Sequence, residues 1–288
     1  MTLHGIRRGL QWVSLVGPKL SLGFIKTKQV YQGPLKSACV PFLSCHSCPS
    51  AFFSCPVGTA QHFMTIQRIP FTLMGFILGI GMLVGGMACG WLCPLGLIQE
   101  LTYKMRSKKI RIPHHFSVLR YFALVFLVIL IPLVTHATWF SKLCPMGTLQ
   151  AGLPWVLWNP IIPVYDEPAV SPGSLGALFV MKLLILVLFL GLFIVSKRPF
   201  CRTVCPLGAV FGLFNKVSLV QLTVDRANCK DCSKCVQRCP VDLCVGDDPN
   251  ATTCVRCLNC LDCENVRLEM RGPEKGVALP GWMQPEKQ

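Results

Sequence analysis

The chain has 288 residues, 52% of them hydrophobic and only 14% charged, well below the roughly 25% of an ordinary soluble domain. With 18 cysteines and a formal charge of +15, this composition excludes a disordered protein, a collagen and a small disulfide scaffold. Residues 1–228 hold 20 of the 28 Lys and Arg against four acids, whereas residues 229–272 hold six basic and seven acidic residues. The positive charge thus lies in the apolar part of the chain, where a membrane protein keeps its cytoplasmic anchors, which argues against a nucleic-acid partner.

In chain order, a first apolar segment over 9–24 is broken by Gly17, Pro18 and Lys19 and reads either as a span or as an interfacial helix. No signal-peptide cleavage pattern follows it, so it is expected to be retained. Apolar runs over Phe71–Ala88, Tyr121–Phe140 and Leu175–Ser196 each approach the roughly 20 residues that cross a bilayer. Lys182, near the start of the last run, is expected to snorkel. Gly75, Gly79, Gly81, Gly85, Gly86 and Gly90 suggest close helix packing, or else room for a flat ligand.

The loop after the Phe71 run carries Lys104, Arg106, Lys108, Lys109 and Arg111, and Lys197, Arg198 and Arg202 follow the Leu175 run. The positive-inside rule places both loops, and the cysteine-rich region beyond 205, in the cytoplasm. Arg7 and Arg8 would also be inside if the first segment spans, and segment 26–67 would fall outside despite Lys26, Lys28 and Lys36.

The tetrad Cys-Pro-apolar-Gly occurs at Cys55, Cys93, Cys144 and Cys205, and a further cysteine precedes two of them as C-x3-C-P, at Cys89/Cys93 and Cys201/Cys205. Each half of the chain then reads as a lone external tetrad, a span and an internal paired tetrad, which suggests a pseudo-symmetric helical bundle. Proline should stop a preceding helix and glycine should allow a turn back. The internal four, Cys89, Cys93, Cys201 and Cys205, suit a shared metal or cluster, or are reduced thiols packing two helix ends. The external group, Cys39, Cys45, Cys48, Cys55 and Cys144, leaves disulfides and a further cluster both open.

Cys229-x2-Cys232-x2-Cys235-x3-Cys239-Pro240 is the bacterial ferredoxin ligand run, and Cys254-x2-Cys257-x2-Cys260 repeats it. Two 4Fe-4S clusters are expected: one on Cys229, Cys232, Cys235 and Cys263, the other on Cys239, Cys254, Cys257 and Cys260. Cys263 follows at x2 spacing without a proline, so Cys244 is an alternative to it. Lys230, Lys234, Arg238 and Arg256 read as solvated surface, or as charges that offset the clusters or dock an acidic partner.

Cys89-Gly-Trp-Leu-Cys93-Pro-Leu-Gly, Cys201-Arg-Thr-Val-Cys205-Pro-Leu-Gly and the double-cluster region resemble the NapH-type membrane ferredoxins over residues 1–270. That family is itself similar to the membrane half of the nitrous-oxide-reductase regulator and to cytochrome-oxidase accessory proteins. The resemblance implies an electron-transfer subunit of the quinol dehydrogenase type, taking electrons from membrane quinol towards a redox partner. The additional cysteines at 39–55 and Cys144 look like a sub-branch, which leaves the terminal acceptor open.

The expected architecture is an all-α membrane bundle of three or four transmembrane helices over 1–218, then an α+β two-cluster ferredoxin-like domain over 219–272 and a flexible tail over 273–288. The chain is expected in the inner (cytoplasmic) membrane as a multi-pass protein, with the ferredoxin domain inside. Expected partners are lipid, the quinone pool and a soluble or membrane redox subunit. His62 and His136 could take quinol protons or ligate haem, although a lone histidine at a helix end is more often a hydrogen-bonded anchor. No C-x-x-C-H, Rossmann fingerprint or P-loop occurs. Two other readings use the same cysteines: an assembly or metal-handling factor binding copper or iron, and a thiol–disulfide relay.

Overall fold

Each Cys-Pro-x-Gly tetrad begins a helix. In the computed structural model, Cys55, Cys93, Cys144 and Cys205 all occupy the N-cap in extended conformation, with proline in the first turn. Proline's fixed φ and missing N–H suit that position. The glycines lie inside the first turn, so the expected turn back does not occur. They are small because neighbours press on them: a Cβ on Gly58 would meet the His46 ring at 2.4 Å, and one on Gly96 the Arg198 guanidinium at 3.1 Å.

The structure describes residues 3–19, 31, 33–158, 161–162, 167–168, 176–226, 229, 234–270 and 277–278. The main helices are α1 (Leu3–Val16), α2 (Pro56–Thr65), α3 (Phe71–Val84), α4 (Met87–Trp91), α5 (Pro94–Tyr103) and α6 (His114–Thr135). They continue with α7 (Trp139–Leu143), α8 (Leu153–Trp158), α9 (Ala177–Val195), α10 (Pro199–Thr203), α11 (Pro206–Phe214) and α12 (Lys234–Arg238). Strand Val220–Val224 pairs antiparallel with Val266–Met270, Leu222 opposite Leu268, and these strands enclose the cysteine-rich region. A two-residue strand, Val277–Ala278, extends the sheet.

Among the described residues two helices, α6 and α9, are long and apolar enough to cross a membrane. Their side chains face outward: Leu184 and Leu188 on α9, and Phe126 and Val134 on α6, are all exposed. Helices this apolar and this little buried are unlike the core helix of a soluble protein and fit membrane spans by length and composition.

The Phe71 helix is shorter than the expected span. It ends at Val84 because Gly85 takes a positive φ of 55° and the Asn215 side chain accepts the Gly86 N–H at 2.8 Å. Its 14 residues cover about 21 Å at 1.5 Å per residue. The first helix begins earlier than expected, at Leu3, and is inside out. Arg7, Gln11 and Ser14 form its buried face, while Leu10, Trp12, Val13 and Val16 are exposed. Residues 20–24 of the expected first segment lie outside the described residues.

Arg7 and Arg198, both almost fully buried, bind the two oxygens of Glu100 at 2.7 Å each. This triad ties α1 and the end of α9 to α5. Arg7, Arg198 and Arg202 therefore do not serve as the solvated anchors expected of them, since Arg202 is also buried and pairs with Asp242. The basic loop 104–111 does remain exposed.

Burial alone would raise the Glu100 pKa, but Arg198 and Arg7 outweigh it and hold the carboxyl below its ordinary value. The stability it contributes is therefore complete at neutral pH and is lost as pH falls through that lowered value. Glu100→Gln leaves two buried guanidinium groups unpaired and should cost about 3–5 kcal/mol in stability. Thermal unfolding in detergent at pH 7 would show the loss, and an unchanged midpoint would contradict this account of α1.

Candidate functional site

The two C-x3-C-P pairs meet. Cys89 on α4, Cys93 at the N-cap of α5, Cys201 on α10 and Cys205 at the N-cap of α11 line one cavity. All four are buried. Gly208 N–H donates to Cys205 Sγ at 3.3 Å, and Gln99 Nε2 donates to Cys201 Sγ at 3.2 Å. A helix N-terminus aimed at a sulfur favours the thiolate. Arg120 lines the same cavity, is 2% exposed, and keeps its Nε without a partner. Arg198 lies within electrostatic reach of Cys93, Cys201 and Cys257.

Among the described residues no three His, Cys, Asp or Glu side chains converge tightly enough to share one metal ion. Around a single zinc the sulfurs would stand roughly 3.8 Å apart, given Zn–S bonds of about 2.3 Å. A cubane cluster spreads its four thiolates further, one to each iron. Four thiols around a common cavity, beside a buried cation that donates to Tyr121 Oη but has no carboxylate partner among the described residues, therefore fit an anionic cluster better than a lone ion.

The same cavity is bordered by Thr252, Thr253, Cys254 and Val255. Cys254 lies within electrostatic reach of Cys257 and Cys239, and Cys260 of all three. The structure thus brings together the four residues assigned from spacing to the second cluster of the tail. Burial pushes the Cys254 thiol up to about 12 and the Cys239 thiol up to about 11. Without iron both would be protonated at neutral pH, and ligation would release those protons.

Of the other expected set, Cys229, Cys235 and Cys263 are half-buried, and Cys232 lies outside the described residues. Cys244 is exposed and interacts with Asp247 and Gly246, away from the clustered sulfurs.

Backbone contact holds the tail against the helices. A Cβ on Gly86 would lie 2.6 Å from Cys254 O, on Gly90 2.2 Å from Val255 O, and on Gly212 2.1 Å from Thr252 O. These glycines receive the 252–257 loop, whereas Gly75 and Gly79, expected to pack helices, have nothing beside them. Asn215 Nδ2 donates to Ala251 O at 3.0 Å and Cys254 O at 2.7 Å. Arg256, expected at the surface, is instead 1% exposed and donates to Ser218 Oγ and Asn215 O at 2.6 Å each and to Val220 O. Arg238 does match the surface reading, exposed and paired with Asp262.

The lone tetrads also differ from expectation. Cys45, Cys55 and Cys144 line a second cavity, and Leu43 borders both cavities. Cys144 lies within electrostatic reach of Cys93. A bilayer therefore does not separate the two groups. The reason is that α2 runs only about 15 Å from Cys55 before the chain turns back into α3, so Cys55 lies at a depth within the bundle. His136 Nδ1 lies 2.9 Å from Thr65 O, joining the ends of α6 and α2, and neither His136 nor His62 lines either cavity.

Spacing alone did not single out Gln99, Arg120 or Asn215. A charged or amide residue beside an apolar run was the available signal, since such groups are costly there unless partnered. Asn215→Ala leaves Gly86 N and the carbonyls of Ala251 and Cys254 without this partner. It should cost on the order of 2–3 kcal/mol and speed hydrogen exchange over 251–257. Unchanged exchange in that loop would show that Asn215 does not hold it.

A family model described as a 4Fe-4S binding domain matches residues 68–113 and 178–222, the two stretches that carry the C-x3-C-P pairs. An uncharacterised protein of Methanocaldococcus jannaschii, MJ0750, is 30% identical over 64% of this chain and 71% of its own length. The ferredoxin-type protein NapH of Haemophilus influenzae is 27% identical over 64% of this chain and 59% of its own length. The methylamine utilization ferredoxin-type protein MauN of Methylorubrum extorquens is 29% identical over 55% and 49%. No solved structure matches. With two equivalent cysteine-bearing repeats and these relatives, the chain belongs to the NapH-type ferredoxin family and has an iron–sulfur electron-transfer role.

Proposed function

We propose that this protein is a membrane-anchored electron carrier that passes electrons between the quinol pool and a redox partner through a line of iron–sulfur clusters. The observation that carries this reading is the cavity shared by Cys89, Cys93, Cys201, Cys205 and Cys254. It brings the cysteines of the helical region and Cys254 of the tail to one lining, together with Arg120, Thr252 and Thr253. In this reading Cys89, Cys93, Cys201 and Cys205 ligate one cluster. Cys239, Cys254, Cys257 and Cys260 ligate a second, and Cys229, Cys232, Cys235 and Cys263 a third.

Bound clusters supply one-electron carriers whose potentials follow net charge, hydrogen bonds to sulfur and solvent exposure. The chain's own residues set those three quantities. Arg120 and Arg198 provide positive charge, Gly208 N and Gln99 donate to sulfurs, and helix ends exclude water. The exposed apolar faces of α6 and α9 support a site in lipid, where quinol dissolves. Ile110 N donates to Val195 O and Arg202 to Ile112 O, so the exposed basic loop lies at the tail's end of the bundle. By the positive-inside rule this end faces the cytoplasm of a multi-pass inner-membrane protein.

Replacing Cys93 and Cys205 by serine together should remove about four irons per chain and stop cluster reduction by a quinol analogue under anaerobic conditions. Cys232→Ser should remove a similar amount while leaving the protein in the membrane. Unchanged iron and an unchanged reduction rate in the double variant would overturn the proposed route.

A further inference from the structure

The second cavity has the marks of another redox site, separate from the first. Its lining includes Cys45, Cys55, Cys144, Lys142, Lys182 and Trp155. Cys55 and Cys144 are N-cap residues of Cys-Pro tetrads, as Cys93 and Cys205 are in the first cavity. Cys45 lies within electrostatic reach of Cys144, Cys55 and Cys48, and the Cys45-x2-Cys48 spacing is that of the chelating pairs in the tail.

The groups around these sulfurs call for an anion. Lys182 stands on the otherwise uncharged helix α9, lines the same cavity as Lys142 and Cys45, and lies within electrostatic reach of both. Among the described residues neither lysine forms an ion pair. Lys19 and Lys36 both lie within reach of Cys45 and Cys48. A lysine in an apolar region needs a counter-charge, and neutral thiols offer none. Trp155, one of the lining residues, has a buried Nε1 without an acceptor. The buried Gln150, whose Oε1 accepts the Cys45 N–H at 2.9 Å, also has an unpartnered Nε2. Buried donors without acceptors are costly, and cluster sulfides would accept from them.

We propose that Cys45, Cys55 and Cys144, which line the cavity bordered by Lys142 and Lys182, hold a further 4Fe-4S cluster there, with Cys48 as fourth ligand from just outside the lining, where its Sγ lies 3.2 Å from Ser50 Oγ. On ligation each thiol loses one proton to solvent and forms one S–Fe bond to a different iron of an assembled cluster. Leu43 is the wall between this site and the cavity of Cys89, Cys93, Cys201 and Cys205. The site therefore lengthens the electron route towards the end of the bundle away from the tail. Cys39 stays outside the set, its thiol donating to Thr59 Oγ1 at 3.6 Å.

This inference rests on the proposed electron-transfer reading, and elemental analysis separates the two. Iron, acid-labile sulfide and zinc would be measured on the full chain, purified anaerobically in detergent. The unsubstituted protein should carry about sixteen irons and sixteen sulfides, four for each set of cysteines. Cys144→Ser and Cys48→Ser should each lose about four irons, Cys39→Ser none, and Cys93→Ser with Cys205→Ser a different four. About twelve irons in the unsubstituted protein, with the Cys93/Cys205 variant still losing four, would overturn this site alone. So would zinc loss in Cys144→Ser, or a disulfide among the four found after alkylation without reductant. If the Cys93/Cys205 variant lost no iron while Cys144→Ser did, the first reading would fail and this one stand.

Discussion

The contact between the tail and the helical bundle depends on the absence of three side chains. The backbone of 252–257 reaches the C-x3-C-P cavity because Gly86, Gly90 and Gly212 present no Cβ to it. Asn215 and Arg256 then fix the position, bonding the loop's carbonyls and the helix ends at once. The sulfurs of the tail and those of the bundle consequently share one hydrophobic core, and the ferredoxin-like region is not a domain swinging on a linker.

Charge is arranged on the same principle. Arginines that could have been cytoplasmic anchors are turned inward, where they lie beside sulfur. Arg198 joins Glu100 to the neighbourhood of Cys93, Cys201 and Cys257, and Arg120 closes the cavity from α6. In a low-dielectric setting such cations are tolerated only with negative charge nearby. Glu100 is shared by Arg7 and Arg198 and Asp242 serves Arg202, which leaves Arg120 without a carboxylate partner among the described residues, and in the proposed reading thiolate ligands supply its counter-charge.

Much of this was legible in the sequence, because ligand spacing is local. Cys254, Cys257 and Cys239 all lie within electrostatic reach of Cys260, on the runs that ligand spacing marks. The C-x3-C-P pairs converge because the second cysteine of each caps an equivalent helix, although the apolar helices before them differ in length, 14 residues against 19. The depth of the lone tetrads was not legible. Hydropathy separates apolar from polar stretches but does not reveal that α2 turns back after ten residues and carries Cys55 into the bundle. The role of Arg256 was equally hidden, since burial of a cation depends on acceptors from Ser218, Val220 and Asn215, which are distant in sequence. Gly86 and Gly90 looked like helix-packing residues for the same reason: their partner is a loop more than 160 residues away.

The central claim is that the cysteine sets hold clusters packed into one continuous relay. EPR of the dithionite-reduced protein tests it most directly, because neighbouring reduced clusters couple magnetically. The account predicts broadened, split signals that simplify when Cys93 and Cys205 are both replaced by serine. Sharp spectra that are a plain sum of isolated clusters, unchanged in that variant, would contradict it.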